Sequence, residues 1–260
     1  MIMKPNMKIF DSMKNFNRLF IAAALALPFF AACSNETPDY SLTYPNALVT
    51  IKPVNEGIAI PGQSDKATFY LQLDDENALL PTNVSKSPSK LEARALGYIK
   101  MSDKLPEGVD KEKFQGTAEI VWIDTILTKK PVVFVEGVDL DKEYGEDPVE
   151  IMNNWRTVVE DGYITFEFMT YWGYSGKKHE VNMILGTNPE NPYEIVFRHN
   201  AHGDISGNQG TGIVAFSLKD LPDTKGEEVD LTLKWQSFSG DKSTKFKYRT
   251  RPDWSASEEE

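Results

Sequence analysis

His199 and His202 stand as His-x-x-His with Asp204 two residues on, and imidazole and carboxylate are the ligand types from which zinc sites are built. Three such ligands with an open fourth position would serve a metal-dependent enzyme. Strand alternation argues for a different use. His199 shares a face with Tyr193, Ile195 and Phe197, which points it into a sheet core, and His202 opens a loop rich in glycine (Gly203, Gly207, Gly210, Gly212). The expectation is a core histidine plus a loop histidine, with a metal held by His199, His202 and Asp204 as the alternative. Asp204-Ile205-Ser206-Gly207-Asn208 also offers oxygens at alternate positions, as calcium loops do. Gln209 and Ala215 stand where an EF-hand needs its glycine and its glutamate, so that motif is excluded and only a looser calcium site stays open.

Nucleophilic chemistry finds less support. Gly173-Tyr174-Ser175-Gly176 is half of a nucleophile elbow, but Lys177 occupies the place of the last glycine. The glycines from Gly207 to Gly212 lead into Ile213 rather than Lys, so they are no phosphate loop. Acidic pairs such as Asp74-Asp75 and Glu227-Glu228 fall in polar connections and read as solvated surface. Tyr171, Trp172 and Tyr174 gather at the end of a long apolar stretch beside a glycine turn. Aromatic rings stack on sugars and anchor protein interfaces, so these three are the candidate ligand or interface contacts, with Trp172 also fit to cap a core. No set of residues reads as an active site, and no cofactor is expected.

The elements that would carry these residues are strands. The dominant period beyond residue 44 is two. Residues 49–51, 67–73, 94–101 and 119–128 form a first block of strands. Residues 129–148 start with an apolar run at 132–135 and then turn acidic. In the second block, Asp161-Gly162 is a two-residue hairpin signal that pairs Val159 with Ile164, Thr157 with Phe166 and Trp155 with Phe168. Gly240-Asp241 is a second, pairing Trp235 with Phe246 and Leu233 with Tyr248 while Asp230, Thr232, Lys234 and Gln236 face outward. Residues 179–185, 193–199 and 212–218 complete about seven strands, the size of an antiparallel sandwich.

The N-terminus carries an address. Lys14 and Arg18 precede an uncharged apolar run of about a dozen residues, too short for the roughly 20 of a membrane span. Phe29-Phe30-Ala31-Ala32 then leads directly to Cys33, the only cysteine among 260 residues. This order is that of a lipoprotein export signal, with Cys33 acylated as the first residue of the mature chain. Ser34 after it fits release to the outer membrane, facing the periplasm or the cell exterior. Met1, Met7 and Met13 could each initiate, and Met13 leaves an n-region of ordinary length. The chain carries −11 overall; the first 32 residues hold +3, so the mature 228 residues carry −14. So acidic a protein repels phosphate backbones, which argues against nucleic acid as a partner.

With the lipobox at Cys33, two further stretches resemble the NigD-like lipoproteins of the Bacteroides group. They are Ala118-Glu119-Ile120-Val121-Trp122-Ile123-Asp124-Thr125-Ile126-Leu127-Thr128-Lys129 and Glu150-Ile151-Met152-Asn153-Asn154-Trp155 leading into Asp161-Gly162-Tyr163. Asn191-Pro192-Tyr193 and the run from Phe197 to Asp204 add to the likeness. The resemblance implies an all-β protein, with an N-terminal OB-like barrel followed by a C-terminal β-sandwich. It implies no defined activity and brings no catalytic or ligand residues with it. Within it, Asp124-Thr125-Ile126 resembles the O-glycosylation sequence of these bacteria.

The expected organisation is a signal peptide (1–32), a lipidated tether (33–44), a barrel (45–130), a linker (131–147), a sandwich (148–252) and an acidic tail (253–260). The expected function is that of a non-catalytic envelope lipoprotein, anchored in the outer membrane, that binds a protein or a glycan. A glycan-binding surface lipoprotein and a metal-dependent enzyme using His199 and His202 are the alternatives.

Overall fold

A computed structural model describes residues 44–60, 64–173 and 175–255, all within one compact unit. The export signal, Cys33, nearly all of the tether, Tyr174 and the last five residues lie outside the described residues. Strand β1 (Ala47–Ile58) alternates Ala47, Val49 and Ile51 on one face with Leu48, Thr50 and Lys52 on the other. The first set meets Phe69 and Leu71 of β2 (Ala67–Gln72), Leu79 of β3 (Ala78–Pro81), Ala95 and Ile99 of β4 (Ala93–Ser102), and Ala118 and Ile120 of β5 (Gly116–Thr125) in one buried cluster. The five strands close in the order β1-β2-β3-β5-β4, an OB-like barrel filled by its own side chains.

The outer face of β2 and β3 is apolar as well, and the β4–β5 loop covers it. Val109 and Phe114 of that loop pack on Tyr70, Ala78 and Leu80, and Gln115 exchanges hydrogen bonds with the Ala78 backbone at 2.7 and 3.0 Å. Phe114 meets Tyr70 edge-on at 5.6 Å, with the Lys113 ammonium 4.8 Å from the same ring.

The chain then enters a sandwich by splitting one edge between two sheets. Strand β6 (Leu127–Lys129) runs parallel to β13 (Asn208–Ser217) in the first sheet. Three residues later β7 (Val132–Val133) runs parallel to β11 (Glu180–Leu185) in the second. A short helix α1 (Leu140–Tyr144), capped by the Asp139 carboxylate on the Lys142 amide, fills out residues 131–147. The first sheet has the order β6-β13-β10-β8, with β8 (Glu150–Ile151) and β9 (Val158–Glu160) both pairing with β10 (Tyr163–Trp172). The second has the order β15-β14-β12-β11-β7, with β12 (Glu194–Asn200), β14 (Val229–Ser237) and β15 (Gly240–Tyr248). Phe166, Phe168, Met183, Ile195, Phe197, Phe216 and Leu233 lie in the core between them. A final turn of helix, α2 (Pro252–Ser255), follows β15.

The first hairpin turns at Asp161-Gly162, both at positive φ, and pairs Val159 with Ile164. The ladder stops at Val158, however. Phe168 pairs with Ile151 of β8 instead, and Trp155 lies exposed in the intervening turn, where Thr157 donates to Met152 O. The second hairpin turns at Phe238-Ser239, not at Gly240-Asp241. Trp235 lies opposite Lys242, Leu231 opposite Phe246 and Val229 opposite Tyr248. The Ser237 hydroxyl fixes this turn by donating to Gly240 O and accepting from the Ser239 amide. Because the total slip is even, every side chain keeps its face. Asp230 is brought opposite Lys247, with a 2.8 Å ion pair.

Barrel and sandwich meet across a polar seam. Arg94 of β4, fully buried, donates to Thr50 at 3.0 Å and Thr165 at 3.3 Å and pairs with Glu160. The β9–β10 turn inserts beside it: Lys52 meets Asp161 at 2.7 Å, and the Asp161 amide donates to Asp75 at 2.6 Å. Tyr163 and Arg251 both bind Glu92, and the Arg251 guanidinium lies 4.1 Å from the centre of the Trp254 ring. Leu48, Ile126 and Ala215 form an apolar cluster alongside.

Candidate functional site

The titratable cluster of the sandwich sits where β10, β11 and β12 reach one end of the fold. His199 follows Ile195 and Phe197 on the inward face of β12, is 2% exposed, and lies against Phe168. Its Nδ1 is 3.2 Å from Asp147 O and its Nε2 is 2.9 Å from His179 Nδ1. His179, just before β11, stacks on the Trp172 indole at 4.1 Å with 21° between the planes. Its Nε2 lies 3.5 Å from Asp204 Oδ2, within ion-pair range though not aligned as a hydrogen bond. The Asp204 carboxylate also accepts the Gly173 amide at 3.0 Å and the Ser175 amide at 3.2 Å. The result is a chain of contacts: carboxylate, imidazole, imidazole, carbonyl.

That geometry decides what the cluster can do. A metal needs ligands converging on one point. Here the two nitrogens of His179 face opposite ways, one to Asp204 and one to His199. His202 turns away, with Nε2 3.6 Å from Glu180, and its carbonyl takes the Lys177 ammonium at 2.6 Å. His199, His202 and Asp204 are therefore not brought together, and among the described residues no group of three or more His, Cys, Asp or Glu is placed to hold a metal. Ser175 meets Asp204 and the Lys177 amide. A carboxylate thus stands where an acyl-transfer triad needs its base. Burial pushes the His199 imidazole below its ordinary pKa, which favours the neutral ring. Hydrogen bonds from Ser175, then from the Gly173 amide, with the nearby His179 ring adding to them, hold Asp204 below the usual carboxylate range against the opposing effect of desolvation. The neutral His199 ring, the His179 ring between, and the ionised Asp204 carboxylate clasp two loops together and prop up Trp172.

The aromatic candidates separate. Trp172 faces inward at the sandwich end, between His179 and Gly210, where a methyl group on the glycine would come within 2.5 Å of the indole. Tyr171 faces the other way, where it meets the half-exposed Phe238 at 5.3 Å and accepts a hydrogen bond from Gln209 at 3.2 Å. Asp124 and Thr125 are exposed at the end of β5. Reasoning from the sequence missed His179 and Phe238. Parity with Val181, Met183 and Leu185 was the signal for the first, and the displaced hairpin turn hid the second.

A groove of about 350 Å³ lies on the second sheet, lined by Arg198, Lys234, Gln236 and Asp241 among others. Its cations are already engaged: Arg198 with Asp141 at 2.7 Å, Lys234 with Glu194 at 2.9 Å and Lys242 with Glu150 at 2.6 Å.

Residues 131–248 match the family of the NigD-like C-terminal β-sandwich domain. A protein described as toxin-related from Parabacteroides distasonis is 34% identical, with a TM-score of 0.61 over 81% of this chain and 94% of its own. The chain belongs to the NigD-like family. Two further structures share the NigD-like fold at lower identity. A protein of unknown function from Bacteroides vulgatus has 19% identity and a TM-score of 0.58, over 80% of this chain and 92% of its own. A NigD-like immunity protein from Bacteroides caccae has 17% and 0.52, over 78% and 96%. No curated protein sequence matches this one. Among the described residues of this NigD-like chain, no helix is long and apolar enough to cross a membrane.

Proposed function

We propose that this NigD-like chain is a non-catalytic outer-membrane lipoprotein, held by acyl groups on Cys33, that works by binding another protein of the envelope. The observation that carries the reading is the in-line wiring of Asp204, His179 and His199, which consumes the fold's buried imidazoles in internal contacts. The barrel supports it from the other side. OB barrels take oligomeric ligands on the strand 2–3 face, and here that face is filled by Phe114 and Val109 of the barrel's own loop. Acidic charge disfavours nucleic acid. One similar structure is a NigD-like immunity protein and another is described as toxin-related. The test is cross-linking in native membranes followed by purification of the acylated protein. A defined protein partner in stoichiometric amount is expected; consistent recovery of the chain alone would overturn the reading.

A second reading, a glycan-binding surface lipoprotein, is favoured by Tyr171, Phe238 and Gln209, which set two aromatic rings beside an amide on one exposed end of the sandwich. It calls for Phe238→Ala to weaken retention on a polysaccharide array without lowering thermal stability. Wild-type protein retained by no glycan would remove it.

A further inference from the structure

Among the described residues the sandwich leaves one of its sheet edges apolar, unpaired and ringed by acid. Among the described residues strand β7 ends the second sheet, with β11 on one side and no strand on the other. The Phe134 amide donates to Leu185 O at 2.8 Å, toward β11. Since successive peptide groups of a strand point to opposite sides, the amides of Val133 and Val135 point away from the sheet. The two residues are 62% and 63% exposed, and Val138 follows them to the surface. Exposed edges of this kind are templates for a further strand, and folded proteins ordinarily blunt them with lysine, proline or a cover. Here Pro131 precedes the edge and the Val138 amide closes a turn onto Val135 O at 3.2 Å, which leaves the Val133 backbone and the Val135 amide open among the described residues.

Charge selects the occupant. Residues 136–150 hold seven carboxylates against the single cation Lys142. Asp141 and Glu146 are matched by Arg198, whereas Glu136 and Glu143 are exposed with no cationic partner among the described residues. A second copy would bring like charge against like charge, and a glycan would leave the outward amides and valines unmatched. We infer that the β7 edge accepts an extended, lysine- or arginine-bearing segment of a partner protein, which adds a strand through the Val133 backbone and the Val135 amide, covers the two valines, and sets its cations against Glu136 and Glu143. This rests on the interaction reading above and names its surface. Backbone pairing supplies affinity in such strand addition, and the alternate side chains supply selectivity.

The probe is a ten-residue peptide of alternating Lys and Val, with a Glu-Val peptide as its counterpart, titrated into the full acylated protein in detergent. Binding is read by fluorescence anisotropy, and its location by hydrogen–deuterium exchange. The Lys-Val peptide should bind in a salt-sensitive manner and slow exchange across residues 131–138, while the Glu-Val peptide should not bind. Val135→Pro removes an outward amide that no native bond uses, so its melting temperature should match wild type while affinity falls about tenfold. Glu136→Lys with Glu143→Lys should weaken binding without touching the backbone. Equal binding of the two peptides, protection elsewhere than 131–138, or full affinity in Val135→Pro would overturn the inference. If the peptide leaves the edge untouched while a partner still co-purifies from membranes, the edge is wrong and the interaction reading stands. A protected edge in a protein that recovers no partner would sink that reading alone.

Discussion

At the scale of single residues, the buried imidazole pair is the feature with the clearest physical consequence. His199 is held below its ordinary pKa chiefly by burial, with His179 beside it adding to the shift and the Asp147 carbonyl and carboxylate opposing it. A histidine whose folded pKa is depressed is favoured in its neutral form. Its contribution to stability is complete above the unfolded value near 6.5 and is lost as pH falls below that value toward the folded one. Asp204 is also depressed, so its contribution is complete above the ordinary carboxylate range and fails only at lower pH still. Stability should therefore decline between pH 7 and pH 5, with histidine as the cause and Asp204 not yet involved. Each extra proton taken up on unfolding tilts the curve by up to about 1.4 kcal/mol per pH unit. His199→Phe, which keeps contact with Phe168, should flatten that decline while lowering stability at pH 7 through the lost hydrogen bonds. Urea unfolding at several pH values measures both, and an unchanged slope in the variant would assign the acid sensitivity elsewhere.

At the scale of elements, the β9–β10 turn does two jobs, and its glycine is where they meet. Gly162 sits at φ +74 in the turn, and a methyl group on it would run into the Trp254 ring of α2. Gly162→Ala should cost about 2 kcal/mol, from the left-handed backbone and the displaced ring together, seen as a lowered urea midpoint. Loss of Trp254 stacking on Arg251 should accompany it as a change in tryptophan emission. The dipeptide Asp161-Gly162 was legible in the sequence because the turn needs two residues at positive φ and few pairs of residue types allow it. Strand faces were legible for a similar reason: period two is imposed by the backbone. The second hairpin's turn was not, because Phe238-Ser239 has no turn signature of its own. It depends on the Ser237 hydroxyl and on the Asp230–Lys247 pairing, and an even slip leaves the hydrophobic pattern unchanged. The His179–His199 contact was illegible for want of distance information. Parity could place each ring inside, but only the approach of β11 to β12 could place them together.

At the scale of the whole molecule, the question is whether barrel and sandwich are one cooperative body. The seam between them holds Arg94, fully buried, with Glu160 opposite and two threonine hydroxyls completing its bonds. Burial pushes Glu160 upward, and Arg94 works against that rise, so the Glu160 carboxylate depends on Arg94 for staying ionised out of water. A buried pair of this kind adds little over an apolar replacement of both partners, but removing one strands the other. Arg94→Met should therefore cost about 3 kcal/mol, the lower part of the usual range because Glu160 keeps some access to water. Arg94→Met with Glu160→Gln should recover most of that loss. Wild type should melt in a single calorimetric transition with matching calorimetric and van't Hoff enthalpies, since Lys52–Asp161, Glu92–Arg251 and the cluster of Leu48, Ile126 and Ala215 join the same two bodies. In Arg94→Met the barrel should separate as an earlier transition, because the stranded carboxylate lies at the junction and the barrel has its own closed core to melt around. Two transitions in wild type would mean that the seam aligns the domains without coupling them, and a double variant no better than the single would show that the Glu160 charge was never the cause.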